Sequence, residues 1–163
     1  MATAGSTYLA RAKRSIAAHG RDGAAFELLS KAADAGNAEA IYAIGTWYLF
    51  GTHVRKNFRQ AAGMLQRAAD LGHASANFDL AVSYEKGKGV ERDRSKAFSL
   101  YMKAALLGDE QATFEVGRCF HWGIGTLRDR QAAEVWFKAF KRFGGVPNQA
   151  AARKPKAKRQ KAG

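Results

Sequence analysis

Few residues in this chain could ligate a metal or act as a nucleophile: four histidines (His19, His53, His73 and His121) and one cysteine, Cys119. None of the histidines has a second histidine or a cysteine at the short spacing of a zinc site. His121 stands two residues from Cys119, and in a helix that offset turns the two to different faces. The expectation is an ordinary histidine and a partly buried thiol. Gly87 and Gly89 look like a fragment of a phosphate loop, but they follow no strand pattern and no Gly-Lys-Ser/Thr closes the motif. They read as turn glycines. Asp109-Glu110 reads as a helix start, where acids favour the dipole. No catalytic constellation, metal set or cofactor motif emerges, and no enzymatic activity is expected.

What remains is binding chemistry. Lys31, Arg67 and Lys103 are spaced 36 residues apart, and a basic ladder of this kind would favour an acidic partner. Equally, each could be a solvated surface cation. Trp47, Trp122, Phe50 and Tyr101 do not follow an apolar column fully, and any of them left exposed would be a natural contact residue for a partner.

The interval of 36 is not confined to the cations. Gly36, Gly72, Gly108 and Gly144 share it, as do Gly51, Gly87 and Gly123. Ala40, Ala76 and Ala112 follow it, with Tyr48, Tyr84 and Phe120, and with Asn57, Asp93 and Asp129. A fixed period of this size is the mark of a repeat array. Each unit reads as two helices. The first spans about 24–35, 58–71, 94–107 and 130–143, and the second 38–50, 74–86 and 110–122, with apolar residues at helical spacing. A glycine follows each first helix, where a left-handed residue is easiest without a Cβ. Asn37, His73 or Asp109 then stands at an N-cap-like position. The longer connections, such as Gly87-Lys-Gly-Val-Glu-Arg-Asp, suit a tight turn ending in a cap. His53 replaces the second loop glycine in the first unit. Small residues at the crossings, including Ala32, Ala68 and Ala104, permit close helix approach.

A single hairpin of this kind cannot bury its apolar face, so the units must stack. The expected fold is an all-α, right-handed α/α solenoid of about three and a half helix-hairpin repeats. An N-terminal cap spans 1–23, repeats span 24–57, 58–93 and 94–129, and a capping helix spans 130–146. First helices commonly line the concave face in such folds, which would set the Lys31 ladder there. Residues 6–20 read as a helix with Leu9, Ile16 and Ala17 apolar and Arg11, Lys13 and Arg14 polar. Trp136, Phe137, Phe140 and Phe143 share one face of the last helix, either closing the stack or offering a sticky end.

The run Ala68-Ala-Asp-Leu-Gly-His-Ala-Ser-Ala, followed by Tyr84, Gly87-Lys-Gly-Val and Asp93, resembles the Sel-1-like repeat, a relative of the tetratricopeptide solenoids. The resemblance covers about residues 24–143. It implies a non-catalytic adaptor that binds a partner protein or peptide on its helical surface.

Charge sharpens the alternative. The net charge is +13, but residues 150–163 alone carry Arg153, Lys154, Lys156, Lys158, Arg159 and Lys161 with no acid. Residues 1–21 are also purely basic, so the body between is nearly neutral. The segment 147–163 lacks large apolar residues and reads as a disordered basic tail. Such a tail could bind nucleic acid in a salt-sensitive way, although no reading module accompanies it. With one cysteine, no signal-like N-terminus and no run of 18 apolar residues, a cytoplasmic protein without membrane contact is expected.

Overall fold

Every described helix starts at a residue whose side chain can close the first turn. The computed structural model describes residues 3–144, and among them lie eight helices and no strand. They are α1 (Ala4–His19), α2 (Gly23–Asp34), α3 (Ala38–Phe50), α4 (Phe58–Asp70), α5 (Ala74–Lys86), α6 (Arg94–Leu106), α7 (Glu110–Trp122) and α8 (Arg130–Arg142). Thr3, Asp22, Asn37, Asn57, His73, Asp93, Asp109 and Asp129 are the N-caps, each accepting a backbone N–H from the first turn. The helix bounds agree with the periodicity to within a residue or two.

Two kinds of connection alternate. After α2, α4 and α6 the chain reverses within three residues. In the α4–α5 turn, Gly72 adopts φ 81° and His73 N–H returns to the Ala68 carbonyl, a C-terminal motif that uses the last free carbonyls. After α3, α5 and α7 a longer loop returns and pins itself to the helix it left. Asn57, Asp93 and Asp129 donate their N–H groups to the carbonyls of Tyr48, Tyr84 and Phe120. Pairing is more extensive across the long loops than across the short turns, so α3–α4, α5–α6 and α7–α8 are the tighter hairpins. Helices α1 and α2 pair in the same way, which makes α1 the structural counterpart of α3.

The repeated glycine of the long loop has a tertiary cause. A Cβ on Gly89 would overlap the Phe58 carbonyl at the start of α4, and one on Gly125 would overlap the Arg94 carbonyl at the start of α6. Each loop lies on the first turn of the second helix of the preceding tight hairpin, α4 or α6. His53 occupies the equivalent place in the first repeat with φ 61°. Its ring packs beside Phe26 and Trp47, at 6.1 and 6.0 Å between centroids.

The core runs along the interface between the helix layers. Ala32, Ala40, Ala68, Ala76, Ala104 and Ala112 are fully buried at the crossings, and small side chains there let larger neighbours interdigitate. Leu29, Ile41, Trp47, Leu65 and Leu80 fill the first half, and Tyr101, Val116, Cys119 and Ile124 the second. On α1, Leu9 and Ala12 face the core and Ile16 packs against it, whereas Ala17 is exposed. At the other end Phe137 and Phe140 pack at a tilt against Phe114, with ring centroids at 5.4 and 5.3 Å, and Trp136 joins the second core. Most of the aromatic face of α8 therefore closes the array, and Phe143 remains exposed.

Candidate partner-binding groove

Positions 36 residues apart on α3, α5 and α7 stand side by side, and their shared face forms one wall of a groove of about 720 Å3. Leu49 and Phe50 come from α3, Phe78, Asp79, Val82, Glu85 and Lys86 from α5, and Glu115 and Arg118 from α7. Phe58 of α4 and Tyr101 of α6 complete it, together with loop residues Lys56 and Lys88. Two regions differ in chemistry.

The inner region is charged and largely withdrawn from water. Arg118 Nη2 lies 2.9 and 2.8 Å from the two carboxylate oxygens of Glu85 on the neighbouring helix, and its Nε donates to Glu115 one turn earlier on α7. Tyr101 donates its hydroxyl to Glu85 at 2.9 Å. Burial pushes the Tyr101 hydroxyl well above the ordinary phenol range, and the Glu85 charge adds to the effect. Burial also raises the Glu115 carboxyl, against the pull of Arg118. For Arg118 burial opposes the charge, but Glu115 and Glu85 outweigh it and hold the guanidinium protonated. Asp79 stands in the same column as Glu115, one repeat earlier. It accepts a 3.1 Å bond from Tyr42, and burial lifts its carboxyl above the usual range.

The mouth is aromatic and cationic. Phe50 is 66% exposed. The Nζ atoms of Lys88 and Lys56 lie 5.3 and 5.7 Å from the centroid of the Phe58 ring, within the range of a cation–π contact. Among the described residues, Lys56, Lys86 and Lys88 make no ion pair.

The ladder of Lys31, Arg67 and Lys103 is elsewhere: none of the three lines the groove. Lys31 pairs with Glu27 at 2.8 Å, Arg67 leans on the Met64 sulfur at 3.6 Å, and Lys103 reaches the Ala69 carbonyl at 3.3 Å across to α4. The lining of this groove comes mostly from α3, α5 and α7, whereas the three cations sit on α2, α4 and α6. Helical periodicity separates the faces of one helix but leaves open which layer of a two-layer stack bounds a groove. Trp47 and Tyr101 are each 2% exposed, so neither offers an aromatic surface to a partner; their rings fill the core. Trp122 is half-buried beside His121 and does not line the groove. The basic residues Arg153, Lys154, Lys156, Lys158, Arg159 and Lys161 lie outside the described residues.

Sequence reasoning passed over Glu85, Glu115, Arg118 and Asp79. A signal existed: Asp79 and Glu115 are 36 apart on helices whose other columns are mainly apolar or small. Among the described residues, no group of three or more His, Cys, Asp or Glu side chains is arranged to hold a metal ion. No described helix is long and apolar enough to cross a membrane.

Four segments, residues 22–37, 38–73, 74–109 and 110–140, match the Sel1 repeat family. The chain belongs to that family. The three longer Sel1 segments begin at α3, α5 and α7, and the first two each span one of the tighter hairpins. Among solved structures, the fold resembles c5321, a protective antigen present in uropathogenic Escherichia coli strains that displays an SLR fold. The TM-score is 0.84 at 25% identity, over 88% of this chain and 31% of that one. It also resembles a Sel1 repeat protein from Oxalobacter formigenes, with TM-score 0.81 at 24% identity, over 86% of this chain and 59% of that one. Helicobacter pylori cysteine rich protein B matches over 54% of this chain and 66% of its own, with TM-score 0.52 and 31% identity. The chain spans from about a third to about three fifths of the length of the first two. No curated protein matches it.

Proposed function

We propose that this Sel1-repeat chain is a non-catalytic interaction scaffold whose partner is a protein segment seated in the groove along α3, α5 and α7. Sel1 repeats generally serve as protein-interaction scaffolds, and the observation that carries the reading here is the groove mouth. Phe50, 66% exposed, and the half-buried Phe58 line it together with Lys56, Lys86 and Lys88, which make no ion pair among the described residues. Large side chains left in water at the lip of a groove are what a partner's desolvated anchor would use.

The test is a peptide-display selection against the folded protein, followed by affinity measurement with two variants. Phe50→Asp alters the mouth, and Lys31→Glu alters the exposed ladder. The groove reading expects at least about tenfold weaker binding from Phe50→Asp and little change from Lys31→Glu. The opposite pattern would move the site to the α2–α4–α6 layer.

A further inference from the structure

The groove has two electrostatic poles, and their separation prescribes the charge pattern of what it binds. At the mouth, Lys56 and Lys88 lie over the Phe58 ring, and Phe50 and Lys86 line the same groove. Deeper lie the carboxylates of Asp79, Glu85 and Glu115 with one guanidinium, Arg118, which bonds Glu85 and Glu115, while Lys86 adds a weaker pull on Glu115. That guanidinium is spent on Glu85 and Glu115, and Glu85 also holds the Tyr101 hydroxyl. Among the described residues, the Asp79 carboxylate makes no ion pair and accepts the Tyr42 hydroxyl. Among the described residues, the inner pole is therefore short of positive charge and the outer pole short of negative charge. Asp79 and Lys86 lie seven residues apart on α5, which corresponds to roughly 10 Å along the axis. An extended peptide covers that distance in about three residues.

We propose that the groove takes an extended peptide segment carrying an acidic and apolar run and, about three residues away, a lysine or arginine. The apolar side chain packs on Phe50 and Phe58, the acidic groups meet the lysines of the mouth, and the basic side chain enters toward Asp79 and Glu115. This rests on the groove being the docking site. A nucleic acid would satisfy the mouth, since lysines beside aromatic rings suit phosphates and bases, but its uniform negative charge would meet the inner carboxylates. A peptide alone can present both signs, and like charges brought together across an interface are strongly disfavoured.

The test is fluorescence anisotropy on the full chain with labelled peptides. One peptide carries Glu-Glu-Phe followed about three residues later by Arg; a second has Gln for that Arg; a third has Lys for both Glu. Single-stranded DNA of about ten nucleotides is the fourth probe. The first peptide should bind most tightly, with roughly tenfold losses for the second and third. Lys86→Glu with Lys88→Glu should weaken the first peptide and restore the third. Asp79→Asn, which keeps an oxygen for the Tyr42 hydroxyl, should weaken the first peptide and leave the second unchanged. Circular dichroism confirms that each variant is folded. Phe50-dependent binding indifferent to these charge changes overturns the two-pole pattern and leaves the docking site standing. Absence of binding by any peptide, display-selected sequences included, overturns both. Tighter binding of the DNA, lost in the lysine variant, replaces the peptide with a nucleic acid.

Discussion

Arg118 of α7 and Glu85 of α5 are joined through one guanidinium nitrogen placed 2.9 and 2.8 Å from both carboxylate oxygens, with side chains only 8% and 14% exposed. The contact bridges two consecutive repeats where the sheltered Glu115 carboxylate also converges. Breaking a buried pair strands the remaining charge, a larger loss than the pair's own net gain. Arg118→Leu should cost about 3–5 kcal/mol of stability in urea unfolding at neutral pH. Adding Glu85→Gln and Glu115→Gln to that variant should recover much of the loss. A small effect of Arg118→Leu alone would show that water reaches these carboxylates freely.

Gly89 and Gly72 both have positive φ, at 74° and 81°, but their surroundings differ. Nothing lies within 4 Å of a Cβ placed on Gly72, whereas one on Gly89 collides with backbone at Phe58. Gly72→Ala should therefore cost only the conformational penalty, about 1 kcal/mol. Gly89→Ala adds overpacking and should cost about 2–4 kcal/mol. Equal thermal midpoints for the two variants would contradict the contact between the α5–α6 loop and the start of α4.

Burial pushes the Cys119 thiol up to about 12, and the side chain is 1% exposed. The thiolate is the reactive form. A disulfide reagent at mildly alkaline pH should leave the folded chain unmodified and label it promptly in denaturant. Rapid labelling of the native protein would show that α7 opens locally.

His73 caps α5 with Nδ1, accepting the Ala76 N–H at 3.3 Å, and its ring stacks on Tyr42 at 4.4 Å. Burial lowers its proton affinity, partly offset by the Glu39 charge on α3. The unfolded chain, with an ordinary imidazole near about 6.5, therefore binds the proton more readily than the folded one. The stability this group contributes is present above about pH 6.5 and is lost as pH falls through the lower folded value. His73→Asn, which reproduces the cap at Asn37, should flatten the fall in stability on acidification below that pH. An unchanged slope would assign the acid sensitivity to other groups.

Much of the fold is legible in single residues. Asn57, Asp93 and Asp129 announce helix starts because a short side-chain acceptor is what a first turn lacks. The turn at Gly72 is legible for a similar local reason, as it must reach φ 81°. Columns such as Ala40, Ala76 and Ala112 mark the crossings, since only a small side chain lets two helices approach closely. Gly89 was visible as a turn glycine, but its deeper cause was not, because the Phe58 carbonyl that excludes a Cβ is 31 positions away. Arg118 looked like any charged residue on an amphipathic helix until the carboxylates of two repeats closed on it. Tyr101 and Trp47 looked available because they departed from their columns, yet both rings turn into the core.

By itself the sequence determined the repeat of 36, the helix boundaries, the caps and the family. These depend on local conformational preference and on apolar periodicity, both carried by neighbouring residues. Only the tertiary structure decided which layer lines the groove, that Lys31, Arg67 and Lys103 lie outside it, and that Asp79, Glu85, Glu115 and Arg118 gather within it. Those outcomes arise from stacking, in which residues one repeat apart become neighbours, and burial then sets the strength of every charge placed there.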